Sequence, residues 1–169
     1  MFKAFYPKEM VESSYVIPYE ELYKEGVRGV IFDVDNTLVP HGAPADERAL
    51  SLFEEFRRMG MKTCLLSNNK EPRVASFAAQ VDSPYIFKGG KPSVKGYNKA
   101  MGKMGTDKSN TIFVGDQLFT DVYGANRAGI YSFLVKPIHP KEEIQIVLKR
   151  YLEAVVLYFY SRSCDKKKR

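Results

Sequence analysis

Gly29-Val30-Ile31-Phe32-Asp33-Val34-Asp35-Asn36-Thr37-Leu38-Val39 carries the clearest signal of the architecture. A short apolar run breaks, with no linker, into a cluster of carboxylates, an amide and a hydroxyl. A run of this length bounded by turn residues reads as a strand buried on both faces, the kind found in parallel sheets. Its polar end then marks the carboxyl edge of that sheet.

Outward from this stretch the pattern alternates. Strands are expected over 62–66, 85–87, 111–114 and 131–135, and helices over 45–59, 71–81, 93–104, 121–128 and 142 to about 161. The 45–59 helix is amphipathic, with Ala49, Leu52, Phe53 and Phe56 spaced by threes and fours before Gly60 stops it. Pro72 sits in a first helical turn, where proline is tolerated. Pro137 and Pro140 make a stiff connection to the final helix. Strands alternating with helices imply an α/β fold with a mostly parallel sheet.

The composition agrees. A chain of 169 residues, 44% hydrophobic and 27% charged, is about one average domain and excludes collagen-like, disordered and disulfide-scaffold classes. Cys64 and Cys164 form no CxxC unit, and Cys64 lies in an apolar run, so free thiols in a reducing compartment are expected. Of the net charge of +6, half sits in Asp165 to Arg169; the mildly basic remainder gives no argument for nucleic acid. No apolar run approaches the roughly 20 residues of a transmembrane helix. The opening MFKAFYPKEM lacks the apolar core of a secretory signal, so a cytoplasmic location is expected.

The polar residues gather at strand ends, where ligands bind in open α/β sheets. In an extended segment Asp33 and Asp35 would project into one cleft, one carboxylate to attack phosphorus and the other to handle the leaving group's proton. The next strand ends in Ser67-Asn68-Asn69, suited to phosphate oxygens. Gly89-Gly90-Lys91-Pro92 puts an ammonium beside an uncrowded backbone, and Gly115-Asp116-Gln117-Leu118-Phe119-Thr120-Asp121 adds two carboxylates at a helix start. Each has a plain local alternative: a solvated Asp-Asn turn, a mere turn, a capping aspartate. His41 and His139 are isolated in loops, and no His or Cys cluster offers a zinc site.

Taken in order, these elements resemble the four motifs of the haloacid dehalogenase-like (HAD) phosphatases: DxDxT, a strand-terminal Ser, a Lys and GDxxxxD. More narrowly, PKEM, VRGVIFDVDNTLVP, the SNN and KP elements and GDQLFTDVYGANRAG are similar to the YqeG family. That family is related to a yeast mitochondrial phosphatidylglycerophosphate phosphatase. The resemblance implies a three-layer, Rossmann-like form of the fold, Mg²⁺ and an aspartyl-phosphate mechanism. Asp33 would be the nucleophile, and Asp35 the acid/base whose backbone carbonyl also helps hold the metal. Ser67 and Lys91 would act on the transferring group, with Asn36, Thr37 and Asn68 also binding phosphate. Asp116 would complete the metal set of Asp33, Asp35, Asp116 and Asp121, with Asp121 either a ligand itself or a partner behind the ligands. Mg²⁺ and Lys91 would offset the repulsion between a phosphate dianion and Asp33.

Only 40–45 separates the first motif from its helix, and one helix and one strand fit between Asn69 and Lys91. No substantial cap domain is therefore expected, and an open mouth favours a large substrate. The chain divides into a flank (1–28) packing on the core, a phosphatase domain (29–161) and a basic tail (162–169). The final helix carries an expected core-facing stripe at Ile144, Val147, Leu148, Tyr151, Leu152, Val155, Tyr158 and Phe159. Val156, Leu157 and Tyr160 fall off it. With Phe2, Phe5, Tyr6 and the nearby lysines they suggest peripheral contact with an anionic membrane, at its inner face. The alternative is that the two ends pack on each other or on a second copy of the chain. A phosphorylated substrate is expected, with a lipid phosphate and a soluble or nucleic-acid phosphate as rival choices. A non-catalytic binding or assembly factor is the reading from another class.

Overall fold

A computed structural model describes residues 2–139 and 144–167. In chain order its elements are β1 (Glu9–Val11), α1 (Tyr19–Lys24), β2 (Gly29–Phe32), α2 (Glu47–Met59), β3 (Lys62–Leu66), α3 (Glu71–Val81), β4 (Tyr85–Ile86), α4 (Val94–Met104), β5 (Thr111–Gly115), α5 (Tyr123–Ala128), β6 (Tyr131–Val135) and α6 (Ile144–Lys167). The six strands form one sheet in the order β1-β6-β5-β2-β3-β4, and every pairing is parallel.

Residues alternate across that sheet. Val30 and Phe32 of β2 pack with α2 and α3, while Ile31 between them packs with Tyr97, Met101 and Met104 of α4. Both faces are thus covered, and β2 is buried throughout. The Asp46 carboxylate accepts from Ala49 N to cap α2, and Gly60 at φ 78° ends it. Cys64 is buried, and burial pushes its thiol up to about 12, which suits an inert packing role.

The flank contributes more than packing. Its Glu9–Val11 segment is an edge strand, with Glu9 opposite Phe133 on β6. Ser14 Oγ donates to the Thr37 carbonyl at 2.7 Å and Tyr15 OH to the Leu38 carbonyl at 2.6 Å, so the flank buttresses the turn after β2.

The expected stripe on the last helix is reversed. Tyr151, Leu152, Val155, Tyr158 and Phe159 are exposed, while Val156 is buried. Val156 and Leu157 pack with Leu118, Val122, Leu134, Phe2, Phe5 and Tyr6, and Tyr6 meets the Tyr160 ring at 5.2 Å. The two chain ends therefore pack on each other, and the patch expected to face a membrane is largely internal. The reason is that α6 is apolar on both sides, so spacing alone does not say which side turns inward. Contacts to the sheet edge select the side bearing Arg150 and Glu153. The side chains of Ile144, Val147 and Leu148 lie outside the described residues, as do Pro140, Glu142 and the tip of the basic tail.

Candidate active site

The strand order turns at β2 and β5: successive strands run outward from β2 through β3 to β4, and from β5 through β6 on the other side. Such a switch point leaves a crevice at the carboxyl edge. Asp33 follows β2 there and Asp116 follows β5.

Asp33, Asp116 and Asp121 are buried together, each offering an oxygen within 4.8 Å of the others. Asp121 enters through a π-helical turn, Leu118–Val122, that brings it back toward β5. Gly115 makes room, since a Cβ there would stand 2.5 Å from Asp121 Oδ2. Lys91 Nζ, itself buried, lies 2.7 Å from both Asp33 Oδ1 and Asp121 Oδ1. Asn68 places this lysine: its Oδ1 accepts from Lys91 N at 2.8 Å and its Nδ2 donates to the Lys91 carbonyl at 3.1 Å. Asn68 thus fixes the backbone of Lys91 from both its polar ends.

The remaining expected residues fall around this cluster. Thr37 is buried and its Oγ1 donates to Asp116 Oδ1 at 3.3 Å. Asn36 occupies the left-handed region at φ 62°, where asparagine is tolerated, and its carbonyl accepts from Ile138 N. Ser67 is buried, and its Oγ accepts from Asn69 N at 3.1 Å.

Asp35 is set apart. β2 ends at Phe32, so the chain is already turning at Asp35, and its carboxylate does not join the buried three. It accepts from Gly42 N at 2.8 Å, Arg73 Nη2 at 2.9 Å and Asn69 Nδ2 at 3.3 Å, with His41 Nδ1 4.0 Å away. The two carboxylates have separate partners, Lys91 for Asp33 and Gly42, Arg73 and Asn69 for Asp35, while Asp35 remains near enough to push the Asp33 carboxyl up.

The charges follow from these positions. Burial pushes Asp33 up to about 6; Lys91 pulls it down and Asp121 pushes it further up. Burial, then Asp121 and Asp33, raise Asp116 well above the carboxylate range, with Arg150 opposing. Burial works against the Lys91 ammonium, but Asp121 and Asp33 outweigh it and hold the proton on. Burial works against the Asp35 carboxylate as well, yet the Gly42 N–H and the Arg73 side chain keep its carboxyl low. Asp33, Asp116 and Asp121 thus face Lys91 and an Arg150 that is shared with Glu153, a balance with room for further positive charge. An all-oxygen donor set at this spacing fits a hard divalent cation.

Sequence reading missed Arg73, Arg150 and Glu153. Arg73 is the third residue of α3, four positions after Asn69, and its place near that motif was the available signal. Arg150 and Glu153 resemble an ordinary solvated pair three residues apart.

A parallel sheet with a carboxylate cluster and a lysine at its switch point defines a haloacid dehalogenase-like hydrolase, and the model of that family matches residues 42–129. Within it the chain belongs to the YqeG family of phosphatases. It is 38% identical over 156 residues to the probable phosphatase YqeG of Bacillus subtilis, covering 92% of this chain and 91% of the other. It is also 27% identical to the chloroplastic/mitochondrial phosphatidylglycerophosphate phosphatase 1 of Arabidopsis thaliana, covering 89% of this chain but 47% of that protein. In fold it is similar to 3-deoxy-D-manno-octulosonate 8-phosphate phosphatase from Moraxella catarrhalis, solved with magnesium, phosphate and KDO. That match has a TM-score of 0.54 at 15% identity and covers 71% of this chain and 75% of that one. Among the described residues, no helix is long and apolar enough to cross a membrane.

Proposed function

We propose that this chain is a Mg²⁺-dependent phosphomonoester hydrolase that works through an aspartyl-phosphate on Asp33. The observation that carries the reading is the convergence of Asp33, Asp116 and Asp121 on Lys91 in one buried cluster. Asp33, Asp116 and Asp121, with the backbone carbonyl of Asp35, would hold the metal. Bound there, Mg²⁺ supplies Lewis-acid stabilisation of phosphoryl charge.

The chain's own groups do the rest. Above pH 6 Asp33 is mainly ionised, and its oxygen forms the bond to phosphorus as the ester oxygen leaves. Lys91 balances charge on the nucleophile and on the incoming phosphate. Ser67, with Asn36 and Thr37 at the turn, lines the phosphate's approach. Asp35 gives a proton to the leaving oxygen, then takes one from the water that hydrolyses the acyl phosphate and releases inorganic phosphate. The Arg73 and Gly42 contacts favour the ionised, proton-accepting form of Asp35. Protonation of the leaving group therefore requires the Arg73 contact to loosen.

For the substrate we favour phosphatidylglycerophosphate at a membrane surface. The Arabidopsis relative's name supports this choice, as does the short 40–46 loop over the site. A second support is the outer side of α6, where Tyr151, Leu152, Val155, Tyr158 and Phe159 stand exposed beside Arg162. An apolar face with flanking cations suits an anionic lipid surface. The deciding experiment compares phosphate release from phosphatidylglycerophosphate in anionic vesicles with release from soluble and nucleic-acid phosphates, with and without chelator. Equal rates on the soluble panel would move the substrate away from lipid. Full activity in excess chelator would end the metal reading.

A further inference from the structure

The last helix reaches back into the carboxylate cluster. Arg150 grips Asp116 at two points, Nη2 donating to Oδ2 of the carboxylate and Nη1 to the backbone carbonyl. Glu153, buried one turn on, takes Arg150 Nη1 at 2.9 Å and accepts from Leu118 N at 2.8 Å. Residues 116–118 are therefore held by α6 at both ends. The other oxygen of Asp116, Oδ1, receives the Thr37 hydroxyl.

We propose that Arg150 is a positioning residue for the metal site: it fixes the rotation of the Asp116 carboxylate so that Oδ1 is the oxygen presented to the cation, while Glu153 offsets its charge. The proposal rests on the reading that Asp33, Asp116 and Asp121 hold Mg²⁺. A flat guanidinium can bind a carboxylate and a neighbouring carbonyl at once, which a lysine ammonium cannot match in the same plane. A lone cation this close would repel the metal. The buried Glu153 makes the pair neutral, so orientation is kept without that repulsion.

Two opposed effects make the sign of the result informative. Losing orientation weakens metal binding, whereas losing a competing cation tightens it. Partners of this kind, behind a metal ligand, typically change affinity by about 10–100-fold when removed. The test uses the full chain with Arg150→Met, Arg150→Lys, Glu153→Gln and Asp116→Asn. The Kd for Mg²⁺ is read by calorimetry without substrate, and kcat for p-nitrophenyl phosphate across a Mg²⁺ series. Arg150→Met is expected to loosen Mg²⁺ by about 10–100-fold, with kcat at saturating Mg²⁺ much less affected. Arg150→Lys should recover part of the loss, and Glu153→Gln should loosen Mg²⁺ by exposing the arginine's charge. If Asp116→Asn destroys Mg²⁺ binding but Arg150→Met leaves it unchanged or tighter, the positioning role is overturned and the metal site stands. If Asp116→Asn keeps the parent's affinity, the metal reading itself falls. Should Arg150→Met fail to fold, Arg150→Lys decides: an affinity equal to the parent's overturns the role.

Discussion

Asp33→Asn should abolish turnover and, without metal, make the protein more stable. Burial pushes the Asp33 carboxyl from 3.8 up to about 6. Between those values the folded chain holds its proton more tightly than the unfolded chain does. Stability of the metal-free protein therefore falls as pH rises through that window and levels off above it. At about 1.4 kcal/mol per unit, an ionised Asp33 costs the fold about 3 kcal/mol at pH 8. Asparagine removes this cost while its oxygen can still accept from Lys91, which also keeps Asp121 at 2.7 Å. Allowing for a weaker neutral hydrogen bond, the net gain is about 1–3 kcal/mol, or several degrees in Tm for a domain of this size. Urea melts of parent and variant in chelator at pH 8 and pH 4 measure it. The gain should shrink toward zero at pH 4, where parent Asp33 is protonated. Added Mg²⁺ at pH 8 should then favour the parent, which keeps all three carboxylates. A variant that melts below the parent by the same margin at both pH values would refute the charge argument. Retained turnover in the folded variant would refute Asp33 as nucleophile.

Lys91→Ala leaves Asp33 and Asp121 without their shared buried cation, so a loss of about 3–5 kcal/mol is expected in a metal-free urea melt, partly restored by Mg²⁺. A melt equal to the parent's would show that the pair is not carrying charge balance. Gly115→Ala places a Cβ 2.5 Å from Asp121 Oδ2, costing about 1–3 kcal/mol of strain. The same change should shrink the Mg²⁺-induced rise in Tm, and an undiminished rise would remove Asp121 from the metal's surroundings. Arg73→Met frees Asp35 from the guanidinium that holds its carboxyl low, so the limb of the pH–kcat profile that reports Asp35 should move to higher pH. An unmoved profile would mean that Asp35 makes no rate-limiting proton transfer.

Much of the fold was legible because its signals are local. The runs that became β2, β3 and β5 are apolar and end in turn residues, and Gly60, Gly105 and Gly129 close their helices in the left-handed conformation. β1 was not legible. Glu9-Met10-Val11 is too short to show a period, and it becomes a strand only by pairing with β6 more than 120 residues away. The candidate site divides the same way. Asp33, Lys91 and Asp116 each follow a strand end and meet because parallel strands deliver their ends to one edge. The separate partners of Asp35 depend on where the chain turns after Phe32 and on Arg73 of another helix.

Local pattern was enough for the alternation of strands and helices, the edge where the polar residues gather, and the family to which those motifs belong. Such information lives in neighbouring residues, whose conformational preferences and spacing act over one or two turns. Long-range packing was needed to settle which face of α6 turns inward, that the two chain ends pack together, and that Arg150 and Glu153 hold the loop bearing Asp116. Those choices compare burial of one apolar face with burial of another, and one buried ion pair with a solvated one. The competing terms are of similar size and involve partners far apart in the chain, so no local pattern encodes the outcome.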